Sequence, residues 1–191
     1  VEGESAALGV ARMRDERTQG VLPMQGKPLN AARATPRRIA AHAHFAALAA
    51  ALDTGLGDAF ALERARYGRV ILLMDPDADG IHCGALMLMF FHRCMRPLLE
   101  AGRVLMARPP WGEVTYAGEA GPRHAWSEAE FAALAAALRR SGREGTTLRY
   151  RGLAGLDPAM LAASCLDPAT RRTSVMTVHD AEMAIALFNP A

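Results

Sequence analysis

What this sequence lacks narrows it before any motif is read. No apolar run approaches the roughly 20 residues that cross a bilayer, and no signal-peptide pattern opens the chain, so nothing points to a membrane or to export. Cysteine is scarce: Cys83, Cys94 and Cys165 are odd in number, widely spaced and set in helical or apolar contexts. They suit neither a disulfide frame nor a zinc site, and the expectation is buried thiols of a reducing compartment, hence the cytoplasm. A strong field of either sign is missing too, because the net charge is only +2. Affinity for nucleic acid would therefore have to come from local basic patches. There is no G-x-x-x-x-G-K phosphate loop, no internal repeat and no low-complexity tract beyond a richness in alanine. The first residue is Val1 rather than Met, as expected of a fragment.

What is present centres on the stretch from Arg69 to His82. Five apolar residues, Val70 to Met74, run without alternation into Asp75, Asp77 and Asp79, and then Gly80. An unbroken apolar run bounded by turn signals predicts a strand buried on both faces, as in a parallel sheet, and ligands bind at the carboxyl ends of such strands. If the backbone stays extended, side chains two apart share a face and three like charges crowd together. Such crowding asks for a cation, and hard oxygen ligands on a loop suit Mg²⁺, which keeps several waters and bridges carboxylates to phosphate. An EF-hand also begins D-x-D-x-D-G, but its twelfth position falls on Leu86, where a bidentate Glu is required. A haloacid-dehalogenase-type phosphatase, with Asp77 as nucleophile, is the second enzyme reading, though Ile81 replaces the usual Thr or Val. A solvated acidic turn is the bland alternative.

At 191 residues the chain is long enough for one large or two small domains. The pattern predicts a helix from Arg37 to Leu52, entered through Thr35-Pro36 and stopped near Gly55 and Gly57. It also predicts a largely buried helix from Gly84 to Ala101 and a strand from Val104 to Ala107, closing a strand-helix-strand crossover. Beyond Pro109-Pro110-Trp111 a hairpin tip is expected between Thr115 and Arg123. A capping box at Ser127 and Glu130 opens an alanine-rich helix to about Arg140. A strand near Leu148 to Tyr150, a helix from Pro158, a strand from Ser174 to Val178 and a helix from about Asp180 complete the reading.

Several segments occur in an order and spacing that resemble one family: VEGES, VLPMQGKPLN, ALDTGLG, RYGRVILLMDPDADGIHCG, FFHRCMRPLLEAG, RPPW and LRYRGLAGLDPAML. The family is the B subunit of bacterial type IIA DNA topoisomerases, which comprises gyrase and topoisomerase IV. The resemblance covers nearly the whole chain. It implies an α/β fold of the Toprim type, the Rossmann-like fold shared by topoisomerases and primases, with a mostly parallel sheet flanked by helices. It places that domain at residues 1–114, with its first strand missing ahead of Glu2, and a truncated α+β segment of the same subunit at 115–191.

By position, the resemblance implies that Glu2 is the Toprim glutamate, a metal ligand and general acid/base, and that Asp75, Asp77 and Asp79 are its metal-binding aspartates. It makes Lys27 a catalytic lysine near the scissile phosphate, and matches Arg66, Tyr67, His82, Arg149, Tyr150 and Gly152 to family positions. Of the basic residues, Lys27, Arg66, His82 and Arg151 are the expected DNA contacts. The activity implied is Mg²⁺-dependent (Mn²⁺ also serving) cleavage and religation of double-stranded DNA. A partner A subunit supplies the tyrosine nucleophile, ATP is bound by an upstream domain absent here, and the B subunits dimerise through the full-length protein. Such a chain is an enzyme fragment inactive alone. Departures are mainly basic or glycine positions: Ala7, Leu8, Ala11, Gln25 and Gly84 stand where the family has others, and Ala154-Gly155 lacks an acid. They keep two alternatives open, a catalytically lapsed DNA-binding or assembly paralogue and a stand-alone Mg²⁺-dependent phosphatase or nuclease.

Overall fold

The computed structural model describes residues 1–188. Its central sheet is built on β1 (Val70–Leu72) and β2 (Val104–Ala107), which run parallel with Val70 opposite Val104 and Leu72 opposite Met106. β6 (Thr173–Val175) pairs antiparallel on the far side of β2, so the sheet is mixed, with order β1-β2-β6. β1 is shorter than the apolar run predicts. Leu73 and Met74 leave the ladder with β2, and the Leu73 carbonyl instead accepts from Glu2 N–H at 2.9 Å. Glu2 also bridges Met24 in parallel, and Gly3 N–H donates to the Met24 carbonyl at 3.0 Å. Val1 to Gly3 thus lie between β1 and the segment around Met24.

The crossover between β1 and β2 is longer at its start than the apolar pattern suggests. α4 (Ala78–Cys94) begins inside the acidic turn, and α5 (Arg96–Glu100) follows after a break at Met95. The break follows from Pro97, whose ring cannot follow the carbonyl four residues earlier within one continuous helix. α4 buries Cys83 to Phe91 without interruption, because neighbours cover it on several sides. Phe90 stacks on Phe45 with centroids 4.0 Å apart, and the methionines fill the gaps between. Phe45 belongs to α3 (Ala43–Leu52), which is separated from α2 (Pro36–Ala40) at Ala41 and His42. The single helix predicted there is therefore two. Thr35 caps α2 through its side chain, and Asp53, in the left-handed region at φ 58°, ends α3 before either glycine. The opposite face of the sheet is covered by α1 (Glu4–Met13), which packs Ala6 and Val10 against Leu73, Leu153 and Leu161.

A second sheet, order β4-β3-β5, holds β3 (Gly112–Tyr116), β4 (Arg123–Ala125) and β5 (Gly145–Arg149), all antiparallel. α6 (Glu128–Ser141) covers one face. Its capping box forms as predicted on one side, with Ser127 Oγ accepting from Glu130 N–H at 3.1 Å. On the other, Glu130 reaches one residue further back, to Trp126 N–H at 2.7 Å. Short α7 (Pro158–Leu161) widens into a π-helical turn at 162–166, and α8 (Val178–Phe188) lies on α4. Among the described residues no helix is long and apolar enough to cross a membrane.

Candidate metal and nucleic-acid site

The acids lie where β1 passes into α4, and the backbone stays extended only as far as Asp77 before turning helical. Asp77 is the N-cap of α4: its Oδ1 accepts from Gly80 N–H at 2.8 Å, which satisfies an amide with no carbonyl partner and sets a negative charge at the positive end of the helix. Asp79 then falls in the first helical turn. Residues two apart on a helix point in divergent directions, so the expectation that Asp75, Asp77 and Asp79 share one face is corrected here. Among the described residues no three His, Cys, Asp or Glu side chains gather as a group able to hold a metal.

What the fold brings together instead is Glu2 with Asp75. Glu2 Oε2 accepts from Asp75 N–H at 3.0 Å, and Asp75 Oδ1 accepts from Leu153 N–H at 2.8 Å. Two glycines make the room. A Cβ on Gly80 would lie 2.7 Å from Glu2 Oε2 and 2.1 Å from the Asp75 carbonyl, and one on Gly152 would lie 2.9 Å from the Asp75 carboxylate. Each carboxylate keeps an oxygen that accepts none of these bonds. The donor set is hard oxygen throughout, and it fits an ion that takes one or two carboxylates and keeps its waters, as Mg²⁺ does. Buried beneath lies Cys83, whose thiol pKa is pushed up to about 11 by burial and by the neighbouring Glu2 charge. A thiol so placed stays protonated. Sequence reasoning put this cysteine in the core without placing it against Glu2.

Lys27 is the only lysine of the chain. Its Nζ lies 2.7 Å from Asp79 Oδ1, and both side chains are at least half exposed. The contact holds the Asp79 carboxyl below, and the Lys27 ammonium above, their ordinary pKa values. The other expected contacts are scattered. His82 stacks on Phe188 with centroids 4.9 Å apart. Arg151 is exposed and precedes Gly152, which itself approaches Asp75. Arg66 and Tyr67 precede β1 and therefore sit at the end of the strand opposite the acids. Arg66 is 3.9 Å from Asp53, and Tyr67 borders a groove of about 750 Å³ that runs along β1 between Val70–Leu73 and Val21–Leu22. The Val1 amino group lies in that groove and donates to the Leu22 carbonyl at 2.9 Å.

Arg149 and Tyr150 are structural anchors. The Arg149 guanidinium lies over the Trp111 ring at 4.6 Å. The Tyr150 hydroxyl donates to Glu113 Oε2 at 2.6 Å, and burial together with this carboxylate raises its pKa.

The chain is 37% identical over 188 residues to the DNA gyrase B subunit of Halalkalibacterium halodurans and 37% identical over 188 residues to that of Thermotoga maritima. It is 38% identical over 189 residues to the DNA gyrase B subunit of Haloferax volcanii. The alignments take in 98% or 99% of this chain but 29% of each relative, so the chain spans under a third of the proteins it resembles. The family profile for the Toprim domain matches residues 1–109, which include Glu2, Lys27 and all three aspartates. With over half of its length matched, and with Glu2 meeting Asp75 at the end of a parallel strand, the chain belongs to the Toprim family.

Proposed function

We propose that this chain is the Mg²⁺-dependent cleavage and religation half of a type IIA DNA topoisomerase B subunit. The observation that carries the reading is the convergence of Glu2 and Asp75, from segments 73 residues apart, in a chain similar throughout to gyrase B subunits. Residues 1–114 form the Toprim domain in this proposal, and 115–191 the segment that follows it. The partner A subunit contributes the tyrosine that attacks the DNA phosphodiester, a domain further upstream hydrolyses ATP, and the full-length protein dimerises in the cytoplasm. Glu2 and Asp75 would hold a divalent cation, with Asp77 and Asp79 as further candidate ligands, and the ion would supply positive charge to the phosphate oxygens and the leaving oxygen.

The chain's own residues do the rest. Glu2, held by Asp75 N–H, passes a proton to or from the departing 3′ oxygen. Lys27 can turn from Asp79 to a phosphate without crossing any barrier of burial. Arg151, exposed and next in the chain to Gly152, is a further candidate phosphate contact. The nucleophile comes from the partner, so this chain neither cuts nor relaxes DNA alone.

Plasmid cleavage trapped with denaturant tests the assignment. The full-length protein with its A partner should form Mg²⁺-dependent covalent breaks, and Glu2→Gln should slow them by about a hundredfold or more, the usual scale of a general acid/base. Unimpaired cleavage by the variant, or efficient cutting by this chain without a partner, would overturn the roles given. A lapsed paralogue is favoured by the substitutions at Gln25 and Gly84. It predicts DNA binding with no breaks at any metal concentration. We also place an extended segment preceding Glu2 in the groove beside β1, on the side of Ile71 that faces away from β2. A chain lengthened ahead of Val1 should then melt higher than this one, and equal melting of the two would remove that segment from the groove.

A further inference from the structure

Gly152 lies between two fixed points. On one side the end of β5 is pinned to β3: Tyr150 N–H donates to the Trp111 carbonyl at 3.1 Å, its hydroxyl holds Glu113, and Arg149 lies over Trp111. On the other side Leu153 is 1% exposed, packed with Ala6, Val10 and Leu73, and Gly155 N–H closes a turn onto the Gly152 carbonyl at 3.0 Å. The main chain at Gly152 is extended, with φ 173° and ψ 174°, a conformation open to any residue. Backbone freedom therefore does not call for glycine here. The Asp75 carboxylate does, because a Cβ at Gly152 would stand 2.9 Å from its Cγ, 2.9 Å from Oδ2 and 3.0 Å from Oδ1.

From this contact we infer that Gly152 is a positioning residue for Asp75: its bare Cα and the Leu153 N–H together set the carboxylate in the orientation that a cation would meet. The inference rests on the cation site proposed above and adds to it a device from outside the matched Toprim segment. Leu153 N–H takes Oδ1, and the flat approach of Gly152 leaves the carboxylate plane no other direction to turn. The main chain of Asp75 is held separately, by its N–H on Glu2, and Pro76 follows it. A methyl at 152 therefore meets only the end of a short, rotatable side chain. The fold can absorb it; the orientation of the carboxylate cannot. Partners of this kind, which orient a ligand without touching the metal, typically govern affinity by about 10- to 100-fold.

The experiment compares Gly152→Ala, Gly155→Ala and Asp75→Asn with wild type in the full-length protein, by Mn²⁺ titration, thermal melting and metal-free amide exchange. A Cβ at Gly155 meets nothing within 4 Å, so this variant is the control in the same turn. Gly152→Ala should weaken Mn²⁺ binding by about tenfold or more, speed exchange of the Leu153 amide and leave the melting temperature near that of wild type. Gly155→Ala should change none of these. Wild-type affinity in Gly152→Ala, with binding lost in Asp75→Asn, overturns the inference and leaves the cation site standing. Loss of folding in Gly152→Ala in step with affinity overturns it as well, since the role would then be structural. If Asp75→Asn binds Mn²⁺ like wild type, the cation reading itself falls, and unchanged Leu153 exchange in Gly152→Ala would take the positioning role with it.

Discussion

The acidic turn has an inner and an outer half, and they are built on different physics. In the inner half Glu2 and Asp75 are fixed by main-chain amides from segments remote in sequence, over glycines that leave no room for a side chain. In the outer half Lys27 and Asp79 hold each other across solvent, with no main-chain donor in the pair. Main-chain amides cannot leave without unfolding, whereas an exposed ion pair contributes little and exchanges freely with salt or another anion. The difference separates two tasks. A cation needs ligands that are already in place, and a mobile polyanion needs a cationic group that can let go of its partner.

Substituting the glycine under the inner half should break the comparison hardest. At Gly80→Ala the new methyl would press on the Asp75 carbonyl and amide as well as on Glu2, and the main chain there cannot yield as a side chain can. A loss of about 1–3 kcal/mol in denaturant unfolding is expected, the scale of overpacking, together with loss of Mn²⁺ binding; wild-type stability would show that the turn is not tight. Next in size is Asp77→Asn. Asparagine caps a helix as well as aspartate does, so the fold should persist while Mn²⁺ affinity falls, and it should fall more than in Asp58→Asn on an exposed turn. Calorimetry giving equal affinities would remove Asp77 from the site.

Changes to the outer half should be smaller and of another kind. Lys27→Ala should weaken DNA binding across all sequences and reduce the slope of log affinity against log salt by about 1, with melting almost unchanged. An unaltered slope would mean that Lys27 touches no phosphate. The smallest effect is on pH dependence. The carboxyl of Asp79 is depressed, so its share of stability is present above the ordinary value of 3.8 and lost as pH falls through the lowered one. The Lys27 ammonium is raised, so its share is present below 10.5 and lost as pH rises through the raised value. The melting difference between wild type and Lys27→Ala should therefore be small and flat between these limits and vanish beyond both.

The sequence made the outline of this site legible, and physics explains where the outline stopped. An apolar run ending in acids identified the strand, and β2 falls on the predicted residues because a buried parallel strand leaves no other reading of Val104 to Ala107. The start of α4 was misplaced by six residues, from Gly84 to Ala78, since the helix opens with polar caps and its apolar face begins later. That error carried the aspartates with it: alternation puts them on one face only in a strand. The bonds from Leu153 to Asp75 and from Asp75 to Glu2 were invisible because main-chain donors have no letter. Gly152 was matched by resemblance, but its reason lies in a carboxylate 77 positions earlier in the chain, which no local pattern contains.

One lysine in 191 residues has a use in the laboratory. Within residues 1–191 it is the one side-chain amine, and it stands in solvent against Asp79. An acylating reagent therefore meets a single side-chain target in this segment, and each equivalent taken up there counts one Lys27 released from its carboxylate. Colour development by an amine reagent on residues 1–191, followed with DNA added, becomes a stoichiometric readout of one unmutated side chain.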